Sequence, residues 1–118
     1  MPVALIRTGW DKEEGFYVGI KGGTASANHA HMDAGSFVFE AQGVRWAQDL
    51  GMQEYYSLEK KGVRLWNGNQ DGQRWDVFRY NNFVHNTLTV NGEKHQVKGT
   101  VRFSPLIRKM HGWEPAWI

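Results

Sequence analysis

The chain has 118 residues, which is enough for one domain with a sizeable core and too few for two. Its 14 basic and 12 acidic residues are interspersed and leave a formal charge of +2, so no continuous basic stripe argues for a nucleic-acid partner. The absence of cysteine excludes disulfides, thiolate metal sites and a cysteine nucleophile, and any metal must be bound through nitrogen and oxygen. We therefore treat residues 1–118 as a single module.

The two ends of the chain carry no recognisable targeting segment. Met1 to Arg7 lacks the basic opening and the apolar run of a secretory signal. No stretch approaches the ~20 apolar residues of a membrane span. From this beginning and the abrupt ending at Trp113 to Ile118 we expect a piece of a longer protein.

Short runs rich in β-branched and aromatic residues predict an all-β chain. In chain order, the predicted strands are 16–20, 36–40, 43–47, 75–80, 87–90 and 101–103. Asn91-Gly92 is the strongest hairpin signal between them, because a type I′ turn needs positive φ at both central residues, and Gly22-Gly23 and Gln42-Gly43 are weaker signals. One short helix or turn fits between Ala47 and Lys61. The pattern predicts an antiparallel β-sandwich of jelly-roll-like type.

The segment from Asn28 to Asp33 is the most informative part of the chain, because His29, His31 and Asp33 recur at every second residue. In an extended strand these side chains would share one face. Two imidazoles and a carboxylate on one face suit a metal ion or a proton-transfer site. For each histidine alone, a hydrogen-bonded packing role is the competing interpretation.

Two later residues are further candidate ligands. Asp49 ends the 43–47 strand, and His85 opens the 87–90 strand. In an antiparallel sandwich both can converge on the His29–His31 segment, where two imidazoles and a carboxylate would make a three-ligand zinc site. Turn capping by Asp49 and simple packing of His85 remain open as alternatives.

The 6 tryptophans are many for a chain of this size. Such rings either fill a core or form platforms on which sugars stack. We expect core filling for most of them. Trp66, beside the polar loop 67–73, is the one expected to be exposed.

An ordered series of motifs resembles the C-terminal β-sandwich domain of the heparinase II/III-type polysaccharide lyases. The series consists of Arg7-Thr8-Gly9-Trp10-Asp11, His29 to Phe37, Gly43 to Gly51, Tyr80, and His85 to Gly92. The resemblance implies a parent chain in which an N-terminal α/α-toroid packs against this domain, with the cleft for an acidic polysaccharide between them. It implies β-elimination on uronic-acid-containing polysaccharides such as heparan sulfate or alginate, and a periplasmic or secreted location.

The resemblance also implies roles for single residues. His31, Asp49 and His85 are implied to bind one mainly structural Zn²⁺ ion, and His29 to face the cleft and assist catalysis. Tyr55 or Tyr56 is implied near the site, and the spacing does not decide between them. Asp33, which the alternation of residues nominates, is not among the ligands that the resemblance implies. Different roles for His29 and His31 also require a local bend, because a regular strand would place both on one face.

The resemblance places the main catalytic tyrosine and the carboxylate-neutralising groups on the toroid. We therefore expect the isolated chain to be inactive.

Two other interpretations remain open. In a cupin, Gly23 followed five residues later by His29-x-His31 would open the first motif, but Gly35 and Ser36 stand where its glutamate belongs. In a non-catalytic carbohydrate-binding or structural sandwich, tryptophans would stack sugars and the histidines would only pack. Metal content distinguishes these interpretations, since a cupin would hold iron or manganese and a binding module none.

Overall fold

The computed structural model describes residues 1–11 and 13–104. Four strands form one antiparallel sheet in chain order, namely β1 (Val3–Arg7), β2 (Phe16–Lys21), β3 (Phe37–Ala41) and β4 (Val44–Ala47). They are followed by a short helix, α1 (Tyr55–Glu59), and two 3-10 turns, Gln73–Asp76 and Phe78–Tyr80. The all-β antiparallel class is therefore confirmed, and these residues form a single sheet, with the other described residues in loops, turns and short helices. No helix in 1–11 or 13–104 is long and apolar enough to span a bilayer.

The first half of the chain follows the sequence prediction closely. The strands predicted at 16–20, 36–40 and 43–47 form β2, β3 and β4 with shifts of about one residue at their ends. The Gln42-Gly43 turn joins β3 to β4, with φ of 52° and 72°. The short helix expected between Ala47 and Lys61 forms as α1. β1 was not predicted, although it pairs with β2 along its whole length from Val3 to Arg7.

The strand predicted at 75–80 is wrong. The Trp75 N–H donates to the Gly72 carbonyl at 3.0 Å, and the Tyr80 N–H donates to the Val77 carbonyl at 2.9 Å, which are the local bonds of 3-10 turns. Trp75 and Tyr80 are 1% and 0% exposed. Burial of both rings in the core therefore prevails over the strand preference of these residue types.

The strand at 87–90 and the hairpin around Asn91-Gly92 are also not formed as predicted. The turn itself is present, since Asn91 and Gly92 have φ of 54° and 68°. The buried Asn82 side chain, however, donates to the Thr89 hydroxyl and the Glu93 carbonyl and accepts from the His95 N–H. Hydrogen bonds to the Asn82 side chain thus take the place of the backbone hydrogen bonds that two paired strands would have formed. Of the strand predicted at 101–103, only a bridge between Val101 and Gly23 forms.

The core lies in the loop-rich part of the molecule and not on the sheet. Its buried apolar residues are Ala25, Met32, Leu65, Trp75, Tyr80 and Val97. Core filling by tryptophan is confirmed for Trp75 and wrong for Trp10 and Trp46, which are 87% and 66% exposed. Trp66 is exposed, as expected. Trp113 and Trp117 lie outside the described residues.

One face of the sheet is entirely apolar and none of its side chains is fully buried. Directly paired residues share a face, and the register pairs Ile6 with Val18 and Val18 with Phe39. By the same register this face comprises Ala4, Ile6, Phe16, Val18, Ile20, Phe37, Phe39, Ala41, Val44 and Ala47. Phe16 and Phe37 are each 42% exposed. We refer to these ten residues as the apolar sheet face.

Candidate functional site

The histidine segment is a series of turns, so the alternation argument for a strand is wrong. Residues 24–36 form no strand, and β3 begins only at Phe37. His29 has a φ of 58°. A left-handed residue reverses the local direction of the chain, and the two imidazoles therefore contact different groups. His31 meets Tyr80 and His85, whereas His29 meets Tyr55 and Trp66. This is the bend that separate duties for His29 and His31 require.

A buried arginine fixes the segment between the two histidines. Arg74 is 4% exposed. Its Nε and Nη2 donate to the Ala30 carbonyl at 3.3 and 2.9 Å, and its Nη1 donates to the Leu65 carbonyl at 3.2 Å. On the other side of His31, the Met32 N–H donates to the Tyr80 carbonyl at 2.9 Å. His31 is thus held at both of its neighbours.

His31, Asp33 and His85 form a group that could hold a metal ion. Each offers one donor atom, and these atoms all lie within 4.8 Å of one another. The His31 and His85 rings are stacked with centroids 5.5 Å apart. Asp33 also forms an ion pair with the Lys21 ammonium. The residues therefore come from the turn before β3 and from the loop after the second 3-10 turn, joined by the core beneath them.

Asp49 contacts the same centre from the other side of His85. Its Oδ2 lies 2.6 Å from His85 Nδ1 and 3.3 Å from the Ser36 hydroxyl, and its Oδ1 accepts the Gly51 N–H at 2.7 Å. The second nitrogen of His85, Nε2, is buried and has no hydrogen-bond partner among the described residues. A buried nitrogen without a partner loses its hydrogen bonds to water and gains none in exchange, which costs free energy. A metal ion would bind its lone pair.

The charge states of these residues suit a metal ion. Burial, together with the nearby His85 and Arg74, lowers the pKa of His31 to about 4, and the opposing effect of Asp33 is smaller than that of burial. Partial burial of Asp49 opposes its ionisation, but hydrogen bonds from Gly51, His85 and Ser36 outweigh it and hold its pKa below the usual range. A neutral imidazole and an ionised carboxylate are the forms that bind metals. Imidazole and carboxylate donors hold zinc, iron and manganese alike.

A second cluster lies beside this centre, on the surface. The His29 Nδ1 is 3.2 Å from the Tyr55 hydroxyl, and the two rings stack with centroids 5.8 Å apart. Trp66 meets both rings edge-on, at 5.3 and 5.4 Å. Tyr80 links the two clusters, because its ring contacts both His31 and Tyr55. Burial and the neighbouring Tyr55 raise the pKa of Tyr80 to about 12, so that its hydroxyl stays protonated and donates to the Gln53 carbonyl at 2.6 Å.

A family model described as heparinase II/III-like, C-terminal, matches residues 8–110 of the chain. The chain belongs to this family. The match includes every residue of the two clusters. A comparison with curated proteins found no match.

In this heparinase II/III-like domain, the structure brings together most of the residues that the sequence nominated. His31 and His85 stack on each other, Asp49 bonds to His85, and His29 bonds to Tyr55. The tight three-donor group contains Asp33 where the resemblance names Asp49. Zinc binding by His31, Asp49 and His85 and catalysis by His29 and Tyr55 therefore stay predictions.

The structure also distinguishes the two candidate tyrosines. Tyr55 contacts His29, Trp66 and Tyr80, whereas Tyr56 is 69% exposed. Sequence reasoning missed Arg74. Nothing in the sequence marks it, since its role depends on a carbonyl 44 residues away that only folding brings close.

Proposed function

We propose that this heparinase II/III-like domain is the metal-binding module of a polysaccharide lyase that cleaves uronic-acid-containing polysaccharides by β-elimination. The observation that carries the proposal is a buried donor centre beside the exposed His29 and the half-buried Tyr55, within a family match over residues 8–110. The domain supplies one wall of the cleft. An N-terminal α/α-toroid of the parent chain supplies the other, and the parent enzyme acts in the periplasm or outside the cell.

Zinc is the metal we propose, held by His31, His85 and Asp49. Asp49 can bind the ion only if the metal replaces its hydrogen bond to His85 Nδ1. If His85 binds through its free Nε2 and keeps that hydrogen bond, Asp49 orients the ring and is not itself a ligand. We favour Asp49 over Asp33 as a ligand because the Asp33 charge is already opposed by Lys21, while Asp49 contacts only the imidazole of His85 among the charged groups described. The ion would cross-link segments distant in sequence and so contribute to folding.

β-Elimination breaks the bond between C4 of the uronate and its glycosidic oxygen after removal of the C5 proton. The enzyme must neutralise the adjacent carboxylate, accept the C5 proton and protonate the departing O4 oxygen. In this chain the exposed His29 and the half-buried Tyr55 share a hydrogen bond of 3.2 Å, so either is placed to receive or return a proton. Groups that neutralise the carboxylate come from the toroid, and the chain alone is inactive.

Metal content of the purified, dialysed chain tests the proposal, measured by inductively coupled plasma mass spectrometry. We expect about one equivalent of zinc, as for a single three-ligand site. His31→Ala and His85→Ala should abolish it and lower the melting temperature, because each removes a donor that joins distant segments. His29→Ala is the matched control and should leave both quantities nearly unchanged, since His29 is exposed and contacts only the surface cluster.

Three outcomes would contradict parts of the proposal. Equal losses from all three histidine variants would overturn the division of roles. No bound metal after growth with zinc would favour a binding or structural module in which the histidines only pack. A substantial rise in ultraviolet absorbance from unsaturated uronate products, made by this chain alone, would overturn the claim that it is inactive.

A further inference from the structure

Trp66 is an exposed indole whose orientation is fixed. It is 59% exposed, yet its Nε1–H donates to Glu59 at 2.9 Å. The residue before it, Leu65, is 1% exposed, and the carbonyl of Leu65 accepts a hydrogen bond from Arg74. The indole is therefore tied at its nitrogen and anchored through the backbone to the core. An exposed ring restrained in this way loses less rotamer freedom when a ligand binds.

The position of Trp66 distinguishes it from Trp10 and Trp46, the other exposed tryptophans among residues 1–11 and 13–104. Trp10 lies under the Arg7 guanidinium, 3.7 Å from the ring centroid, so a cation already covers one face. Trp46 is tied to the Ala41 carbonyl at the edge of the sheet. Only Trp66 among these three contacts the His29–Tyr55 pair, and it stands nearly perpendicular to both rings, at 86° and 78°.

Charges of both signs lie beside this cluster, since the Glu59 carboxylate accepts from Trp66 on one side and Arg74 lies behind Tyr55 on the other. The Arg74 guanidinium lies 5.8 Å from the centroid of the Tyr55 ring. Its three hydrogen bonds go to backbone carbonyls, and no carboxylate pairs with it within the described part of the chain. A buried charge that is not paired projects a positive potential through a medium of low dielectric constant. That potential stabilises an acidic group on the Tyr55 side of the cluster, whereas Glu59 opposes one at the Trp66 nitrogen.

We propose that Trp66 is a stacking platform for one pyranose ring of an acidic polysaccharide, next to the sugar that reaches His29 and Tyr55. This inference rests on the proposed function and names a subsite within it. The apolar C–H face of a pyranose packs on an indole, while the hydroxyls and the carboxylate stay in water or face the positive potential. Trp66 is a positioning residue, because it holds the polymer in register without touching the reacting atoms.

Binding of defined oligosaccharides to the zinc-loaded chain tests the platform, with isothermal titration calorimetry as the measurement. The probes are an oligomannuronate tetrasaccharide, a heparan sulfate tetrasaccharide and the neutral cellotetraose. We expect Trp66→Ala to weaken binding of the preferred acidic probe by about tenfold, equivalent to about 1.4 kcal/mol. Trp66→Phe should recover most of that loss, because a smaller aromatic face is retained. Trp46→Ala is the matched control and should change affinity by less than about twofold, since that exposed indole lies outside the cluster.

The outcomes separate the platform from the proposed function. If the unaltered chain binds an acidic probe and Trp66→Ala binds it equally well, the platform is wrong and the proposed function stands. An equal loss in Trp46→Ala would also overturn the platform, since the effect would not be local. If the unaltered chain binds none of the acidic probes, both ideas fail together. A melting curve for each variant shows whether a loss of binding reflects unfolding.

Discussion

At the scale of single residues, two carboxylates flank the same pair of histidines, and their environments differ. Asp33 is paired with Lys21, whereas Asp49 bonds to His85, Ser36 and the Gly51 backbone. We expect Asp49→Asn to weaken zinc binding by at least ~10-fold, whether the carboxylate binds the ion or orients His85. Asp33→Asn should weaken it by less than ~3-fold, because Lys21 already opposes that charge. Competition against a chelating dye measures both affinities.

The control for this pair is Asp76→Asn, because Asp76 is 69% exposed and paired with Lys94 far from the centre. It should leave zinc affinity unchanged. A larger loss in Asp33→Asn than in Asp49→Asn would make His31, Asp33 and His85 the true ligand set. In that case the alternation of His29, His31 and Asp33 would have nominated the right carboxylate, Asp33, although the strand on which that argument was based does not form.

The sequence indicated which residues belong to the candidate site, but not the surroundings in which they lie. His29, His31 and His85 were recognisable because imidazoles bind metals and transfer protons, and because they stand in an ordered series of motifs that resembles the family. The free Nε2 of His85 was not predictable, since it depends on Asp49 occupying the other ring nitrogen. The same is true of Arg74, whose contact with the Ala30 carbonyl exists only in the folded chain.

At the scale of elements, two turns with positive φ at both central residues differ in their first residue. Gln42-Gly43 and Asn91-Gly92 have nearly the same dihedrals, with φ of 52° and 72° against 54° and 68°. Asparagine tolerates the left-handed region better than glutamine does. We expect Gln42→Asn to stabilise the fold by about 0.5 kcal/mol and Asn91→Gln to destabilise it by a similar amount. Urea unfolding of the two variants and the unaltered chain measures the change.

These two substitutions are each other's control, because they exchange the same two residue types in opposite directions. A change of the same sign in both variants would contradict the backbone argument. It would mean that side-chain contacts at the two turns, rather than φ, determine the stability.

Strands were predictable where the local sequence pattern favours the same structure as the tertiary contacts do. β2, β3 and β4 alternate, are bounded by turn residues and pair with sequence neighbours, so local information suffices. The second half of the chain failed because a few buried side chains decide its path. Trp75 and Tyr80 enter the core together, and Asn82 takes the bonds of a hairpin. Neither event leaves a periodic signal in the sequence.

At the scale of the whole molecule, the core and the sheet are separate, and within residues 1–11 and 13–104 no layer of buried side chains covers the apolar sheet face. Four strands about 4.8 Å apart, with about five residues each at 3.3 Å, give a face of roughly 300 Å² in projection. A stable interface needs roughly 800 Å² from each partner. In the parent chain we expect another segment to cover this face. In the isolated chain the available partner is a second copy, and the small area implies weak association.

We therefore expect the isolated chain to self-associate reversibly as its concentration rises, measured by sedimentation velocity. Phe16→Lys should reduce this association, because a charge placed in the interface loses hydration that no partner replaces. Phe78→Lys is the matched control, since Phe78 is 64% exposed and lies in a 3-10 turn away from the sheet. Equal effects of the two variants would mean that general surface apolarity drives association. A chain that stays monomeric at all concentrations would show that the sheet face is already covered in solution.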